Sequence, residues 1–264
     1  MKILYLFRAF VLIPVILVWT AVMALISLAT SFFDGDGSLQ HGCAKVWASS
    51  ILWISGVTLR IAGAENISTG PYIFACNHQS FFDIFAILAG LPQPFRFFAK
   101  DSLFRVPFLG WHLKRAGHLP VDRSNARSAY ASFQSAAERI RAGASVLIFP
   151  EGSRSESGEI GAFRRGSLRL SPASAVPVVP LAIFGSRFIL PKGSMLISPG
   201  EIDLSVGHPV DPPDDAMKDK DHLVEEVRSR IVDQYRMLQS ARPVRLRWQS
   251  APRVVPERDL SGQR

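Results

Sequence analysis

The sequence predicts an α/β domain, with a mostly parallel or mixed sheet flanked by helices, behind a hydrophobic N-terminal helical hairpin for membrane attachment. Three observations predict it. Beyond Gly63, short apolar runs alternate with segments of helical period. Before it, the 25 residues from Ala9 to Phe33 carry no formal charge. Finally, hydrophobic residues make up 48% and charged ones 20% of the chain, which excludes a disordered polymer, and Cys43 and Cys76 alone cannot build a disulfide scaffold.

Each element has its own signal. About 20 apolar residues span a bilayer core, so Ala9–Phe33 is long enough. Lys2 and Arg8 precede this run, and Asp34 and Asp36 follow it in a Gly-rich turn. A secretory leader with Ser27-Leu28-Ala29 as its cleavage site would have a shorter apolar region, about 7–15 residues, so a membrane anchor is the better reading. A second apolar stretch, Val46–Gly63, is broken only by Arg60, and its tryptophans suit a helix at or in the interface. The two stretches fit a hairpin that crosses the membrane and one half-buried in a single leaflet equally well.

The body begins with a buried strand at Tyr72–Cys76 and a helix at about Phe81–Ala89. Phe95–Ala99 is a second strand, followed by an apolar segment around Phe104–Leu113 and a short strand at Leu119–Val121. Ser124 can cap a helix with Tyr130, Phe133, Ala137 and Ile140 on one face, stopped by Gly143. Ser145–Phe149 is a strand ended by Pro150, and Val178–Phe184 is another. Met195–Ser198 and Ile202–Val206 read as a strand pair across Pro199-Gly200. Leu223, Val227, Ile231, Tyr235 and Leu238 share a face of a closing helix from Lys220 to Gln239. The organisation expected is therefore membrane-anchoring helices in 1–62, an α/β domain in 63–240 and a loose basic tail in 241–264.

Charge placement narrows the partners. The net charge is +8, but the tail alone holds six arginines against Glu257 and Asp259, so half the excess sits there and the body is nearly balanced. A nucleic-acid binder would carry a basic stripe on a folded face. A basic end beside an otherwise balanced domain suits an anionic lipid surface instead.

Two loops carry candidate chemistry. Asn77-His78-Gln79-Ser80-Phe81-Phe82-Asp83 follows the first body strand, where ligands bind in α/β sheets. Asp83 can accept a proton from one imidazole nitrogen of His78, leaving the other to take a proton from a substrate hydroxyl. A separation of five does not share a helix face, so the pair requires His78 in the turn before the helix. The plainer alternative makes His78 a helix cap and Asp83 a solvated helix residue. The second loop is Phe149-Pro150-Glu151-Gly152-Ser153-Arg154-Ser155. Gly152 lets backbone approach a ligand, Ser153 and Arg154 offer donors, and a guanidinium fork suits phosphate. Its plainer alternative is a polar loop whose arginines pair with Glu156 and Glu159. Gly117, Asp122 and Arg123, and the apolar Val176-Pro177-Val178-Val179-Pro180-Leu181, say little alone. The six histidines include no H-E-x-x-H pair and no Cys/His cluster, so metal hydrolysis is discarded and no cofactor is expected.

In order, these segments resemble the motifs of the glycerophospholipid acyltransferases, specifically the lysophosphatidate (1-acyl-glycerol-3-phosphate) acyltransferase family. NHxxxxD is matched by Asn77, His78 and Asp83. GxxxxDR is matched by Gly117, Asp122 and Arg123. FPEGTRS is present as FPEGSRS, with Ser153 in the threonine position. The proline-containing strand VPVVPL and an FxxKxxL-like element at Phe97, Lys100 and Leu103 complete the set, and Arg164-Arg165-Gly166 matches a step that often follows the third motif. The resemblance spans roughly 65–210. It implies that His78 is the general base and Asp83 its orienter, and that the hydroxyl attacks an acyl thioester directly. Glu151, Gly152, Ser153 and Arg154 would bind the acceptor, with Arg154 on its phosphate and Arg123 and Lys100 as further phosphate contacts. The implied partners are acyl-CoA or acyl carrier protein, a lysophospholipid and membrane lipids at a cytoplasmic face, with no nucleic acid. The implied product is phosphatidate. Another lysolipid acceptor, such as a lyso-ornithine lipid, is the nearest alternative, and a catalytically silent lipid-binding membrane protein is the one from a different class.

Overall fold

A computed structural model describes residues 2–34, 37–121, 126–164, 166–213 and 220–242. Among these, seven strands form one mixed sheet in the order β1-β7-β6-β2-β5-β3-β4, namely β1 (Val57–Ala62), β2 (Ile73–Cys76), β3 (Phe95–Lys100), β4 (Leu119–Val121), β5 (Ser145–Ile148), β6 (Val178–Phe184) and β7 (Gly200–Val206). Every neighbouring pair is parallel except β6 and β7. The central strands are uninterrupted apolar runs because both of their faces are covered. Alternation along β2 shows this: Phe74 and Cys76 join one core, Ile73 and Ala75 the other, and all four are fully buried.

The first core is closed by α1 (Lys2–Thr30), α2 (Ser38–Ile54) and α3 (Phe82–Gly90), through residues such as Leu12, Ala48, Leu52, Phe82 and Ile87. The second is closed by α5 (Ala126–Arg141) and α8 (Lys220–Ala241), through Ala136, Ala137, Ile140, Leu223, Val227 and Ile231. Shorter helices α4 (Leu109–Arg115), α6 (Leu170–Ser174) and α7 (Ser186–Ile189) fill the connections.

α1 contains a 23-residue segment, Arg8–Thr30, long and apolar enough to cross a membrane. It packs on α2 through the indole N–H of Trp19 to Ser50 Oγ (2.7 Å) and that of Trp47 to Thr20 Oγ1 (3.1 Å). Both its ends are tied to the rest of the chain. Arg8 donates to the carbonyl of Ser55 (2.5 Å), while Ser27 meets His112 (2.8 Å) and Ser31 Oγ accepts from Arg115 Nε (3.0 Å) on α4. Its outer face, including Phe10, Leu17, Val18 and Leu25, is exposed.

Two expectations need correction. The stretch 46–63 is not one interfacial helix. α2 stops at Ile54, Gly56 turns the chain with φ +65, and Val57–Ala62 becomes an edge strand of the sheet. Arg60, an interruption in a helix, is in β1 an exposed residue paired with Glu201 of β7 at 2.8 Å. Nor does Met195–Ser198 form a strand with Ile202–Val206. β7 already has β1 on one side and β6 on the other, so no edge is left for a hairpin partner, and Ser198 N–H bonds to Ile189 O instead (2.9 Å).

Candidate active site

β2, β5, β3 and β6 run parallel, so the loops leaving their C-terminal ends gather on one edge of the sheet. That edge carries both motif loops. The first is anchored by Asn77, whose side-chain amide donates to Ile183 O (3.0 Å) and accepts from Ile183 N–H (2.8 Å). This pairing continues the β2–β6 ladder one step past its last rung, Cys76 opposite Leu181, and fixes where His78 leaves the sheet. Cys76 is a fully buried packing residue, and burial pushes its thiol well above the ordinary value.

His78 lies in the turn before α3, as the spacing required. Its Nδ1 meets Asp83 Oδ2 at 2.8 Å. The same carboxylate oxygen accepts the backbone N–H groups of Gln79 (2.7 Å) and Ser80 (2.9 Å). Asp83 is completely buried, so the solvated-helix alternative does not hold. A carboxylate surrounded by donors fixes the tautomer: Nδ1 carries hydrogen and Nε2 keeps its lone pair. The ring stacks on Phe149, centroids 3.9 Å apart and planes 17° apart, with 15% of the side chain still exposed. The imidazole is thus oriented on one edge, clamped on one face and open at Nε2.

The second loop braces the first. Glu151 Oε1 accepts His78 N–H and Oε2 accepts Gly161 N–H, both at 2.9 Å. Burial raises its pKa, opposed by these two N–H groups and by the nearby imidazole. Ser155 N–H adds a bond to His78 O at 2.8 Å. Gly152 has φ +78, and the side chain of Arg164 fills the space that a Cβ would need. Ser153 is exposed beside it. Arg154 stacks over Phe81, its guanidinium carbon 4.0 Å from the ring centroid. The alternative, a pairing of this loop's arginines with Glu156, does not form among the described residues; Glu156 pairs with Lys192 at 2.8 Å.

Lys100 ends β3 on the same edge, exposed and without a bond to either motif loop among the described residues. Asp122, Arg123, Ser124 and Arg165, and the tail beyond Arg242, lie outside the described residues. Sequence reasoning missed the supporting residues Phe149, Phe81, Gln79 and Tyr235. Gln79 Nε2 donates to Gly158 O (2.8 Å) and to the hydroxyl of Tyr235 on α8 (2.9 Å), linking three segments. Phe149, Phe81 and Gln79 sit inside the motif runs, which was a usable signal; Tyr235 read only as one more core position. His118, given no role from sequence, is buried against Phe97, ring centroids 4.1 Å apart. A cavity of about 420 Å³ opens at the opposite sheet edge, lined by Asn66, Val206, His208 and Gln234. It has no oriented base and lies at the wrong ends of the strands to receive a substrate of His78.

Known proteins match this architecture. A family model described as Acyltransferase covers residues 58–184. The 1-acyl-sn-glycerol-3-phosphate acyltransferase of Borreliella burgdorferi is 30% identical over 74% of this chain and 76% of its own. A chloroplastic protein of the same name from Brassica napus is 34% identical over 74% of this chain. The chain spans only about half the length of that relative, 55%. In structure, the 1-acyl-sn-glycerophosphate acyltransferase of Thermotoga maritima superposes with a TM-score of 0.80 over 94% of this chain and 99% of its own, at 24% identity, a likeness of fold.

Proposed function

The chain belongs to the lysophosphatidate (1-acyl-sn-glycerol-3-phosphate) acyltransferase family, and on that premise we propose that it moves an acyl group from a thioester to the sn-2 hydroxyl of 1-acyl-glycerol-3-phosphate, giving phosphatidate. The observation that carries this reading is the bond between His78 Nδ1 and the buried Asp83, beside an arginine with no carboxylate partner among the described residues.

The chemistry follows from the tautomer. Nε2 takes the hydroxyl proton as the acceptor oxygen attacks the thioester carbonyl carbon. Asp83 stabilises the imidazolium that forms. The tetrahedral intermediate then expels the thiolate, and the imidazolium returns the proton to sulfur, so histidine ends as it began and no acyl-enzyme is needed. Arg154 binds the acceptor's phosphate, with Lys100 and Arg123 as further cations. Glu151 and Gly152 shape the loop, Glu151 by holding the backbone of His78 and Gly152 by admitting Arg164. The donor is acyl-CoA or acyl carrier protein, arriving from water at the cytoplasmic face. The acceptor is taken laterally from the bilayer in which α1 and α2 seat the enzyme.

The test is acylation of a panel of lysolipids by purified protein. Wild type converts lysophosphatidate, and His78→Ala loses about 10²–10⁴-fold in kcat while circular dichroism shows the fold retained. Near-normal turnover by that variant, or preference for a phosphate-free acceptor, overturns the assignment.

A further inference from the structure

Adjacent phenylalanines in the first motif loop have opposite fates. Phe82 is 1% exposed and belongs to the core; Phe81 is 52% exposed. Packing explains the first and not the second. What Phe81 does touch is Arg154, whose guanidinium carbon sits 4.0 Å above its ring.

The manner of that contact matters. The backbone around Arg154 is already fixed, since its carbonyl accepts Lys192 Nζ (3.2 Å) and the next residue's N–H bonds to His78 O (2.8 Å). What remains to be restrained is the long side chain. A carboxylate would restrain it by occupying its N–H fork and neutralising its charge. An aromatic face restrains it while leaving both available, because stacking uses the flat face of the guanidinium and bidentate phosphate binding uses its edge. The carboxylate nearest in sequence, Glu156, is held away by Lys192. Phe81 also lies between His78 and Asp83 in the chain, so base and cation are referred to the same short turn.

We infer that Phe81 is a specificity-determining residue, the platform that aims Arg154 at the acceptor's phosphate and so sets preference for phosphate-bearing over neutral acceptors. This rests on the acceptor assignment proposed above.

The test compares wild type, Phe81→Leu, Phe81→Trp, Arg154→Ala and the Phe81→Leu/Arg154→Ala double variant, each on lysophosphatidate and on the phosphate-free 1-acylglycerol. Because the ring is half exposed, leucine leaves the fold intact, which thermal melting checks. Phe81→Leu is expected to raise KM for lysophosphatidate about three- to tenfold, the range of a partly exposed cation–π contact, with a much smaller effect on kcat. KM for 1-acylglycerol stays put, Phe81→Trp recovers the wild-type preference, and Phe81→Leu adds nothing once Arg154 is gone. An equal KM rise for both acceptors, no rise, or a full effect in the Arg154→Ala background overturns the inference. Wild type that ignores lysophosphatidate overturns the acceptor assignment and the inference together; wild type active on it, with Phe81→Leu unchanged, overturns the inference alone.

Discussion

A single oxygen, Oδ2 of Asp83, accepts three donors: the imidazole and two consecutive backbone amides. An asparagine can keep an oxygen on these donors, with its amide nitrogen in the place of Oδ1, which has no partner among the described residues, but it loses the negative charge. Asp83→Asn is therefore expected to lose about 10²–10⁴-fold in kcat because the imidazolium is no longer stabilised; steady-state rates beside circular dichroism measure it. Glu151 is the contrasting case, because both its oxygens already serve N–H groups. In Glu151→Gln one donor faces the new amide hydrogens, which should cost about 1–3 kcal/mol of stability, read by chemical denaturation. The His78–Asp83 pair was legible in the sequence because its geometry is local: a turn residue and a first-turn carboxylate five apart. The links from Glu151 to His78 and from Arg154 to Phe81 were not, since they join loops whose approach depends on β2 and β5 being neighbours.

At the level of elements, α8 lies beyond the region covered by the family model yet reaches the site through Tyr235. Tyr235→Phe removes the hydroxyl that Gln79 and Gly158 share. A loss of about 1 kcal/mol in stability and a fall in kcat of up to about tenfold through loosened placement of the His78 turn are expected, with rates and melting curves as the measurements. α4 and β4 supply a different prediction. His112 is held neutral by burial and by Arg96, its pKa lowered from the ordinary 6.5 to about 4. His118 is depressed as well, by burial first and then by His112, Arg96, His41 and Arg139. The unfolded chain takes up protons that the folded one refuses. The contribution of these two histidines is thus complete above pH 6.5 and falls as pH drops towards 4, by about 1.4 kcal/mol per pH unit for each histidine; denaturation midpoints across that window, compared with those of His112→Gln, show it, and identical profiles would refute it. Most strands and helices of the body were readable from apolar period and turn residues. β1 was not, although Val57, Leu59 and Ile61 alternate with Thr58, Arg60 and Ala62, because six residues following an apolar helix at once read as its continuation.

At the scale of the molecule, α1 presents an uncharged apolar outer face while tied at both ends to the rest of the chain. Attachment to lipid through that face is hydrophobic, so flotation with vesicles is expected to persist in 1 M salt, where the Debye length shrinks to about 3 Å, and to be abolished by detergent. Release by salt alone would assign attachment to the basic tail instead. The strand order has one last consequence for life at such a surface, where copies of the chain crowd into two dimensions and stray strand pairing becomes a hazard. Among the described residues, only β1 and β4 border the sheet. The rim at β1 bears Arg60, a charge that an incoming strand would have to bury or push aside. The rim at β4 is three residues long and centred on Pro120, which has no amide hydrogen to offer. Both borders are thereby blunted against fibrous self-association.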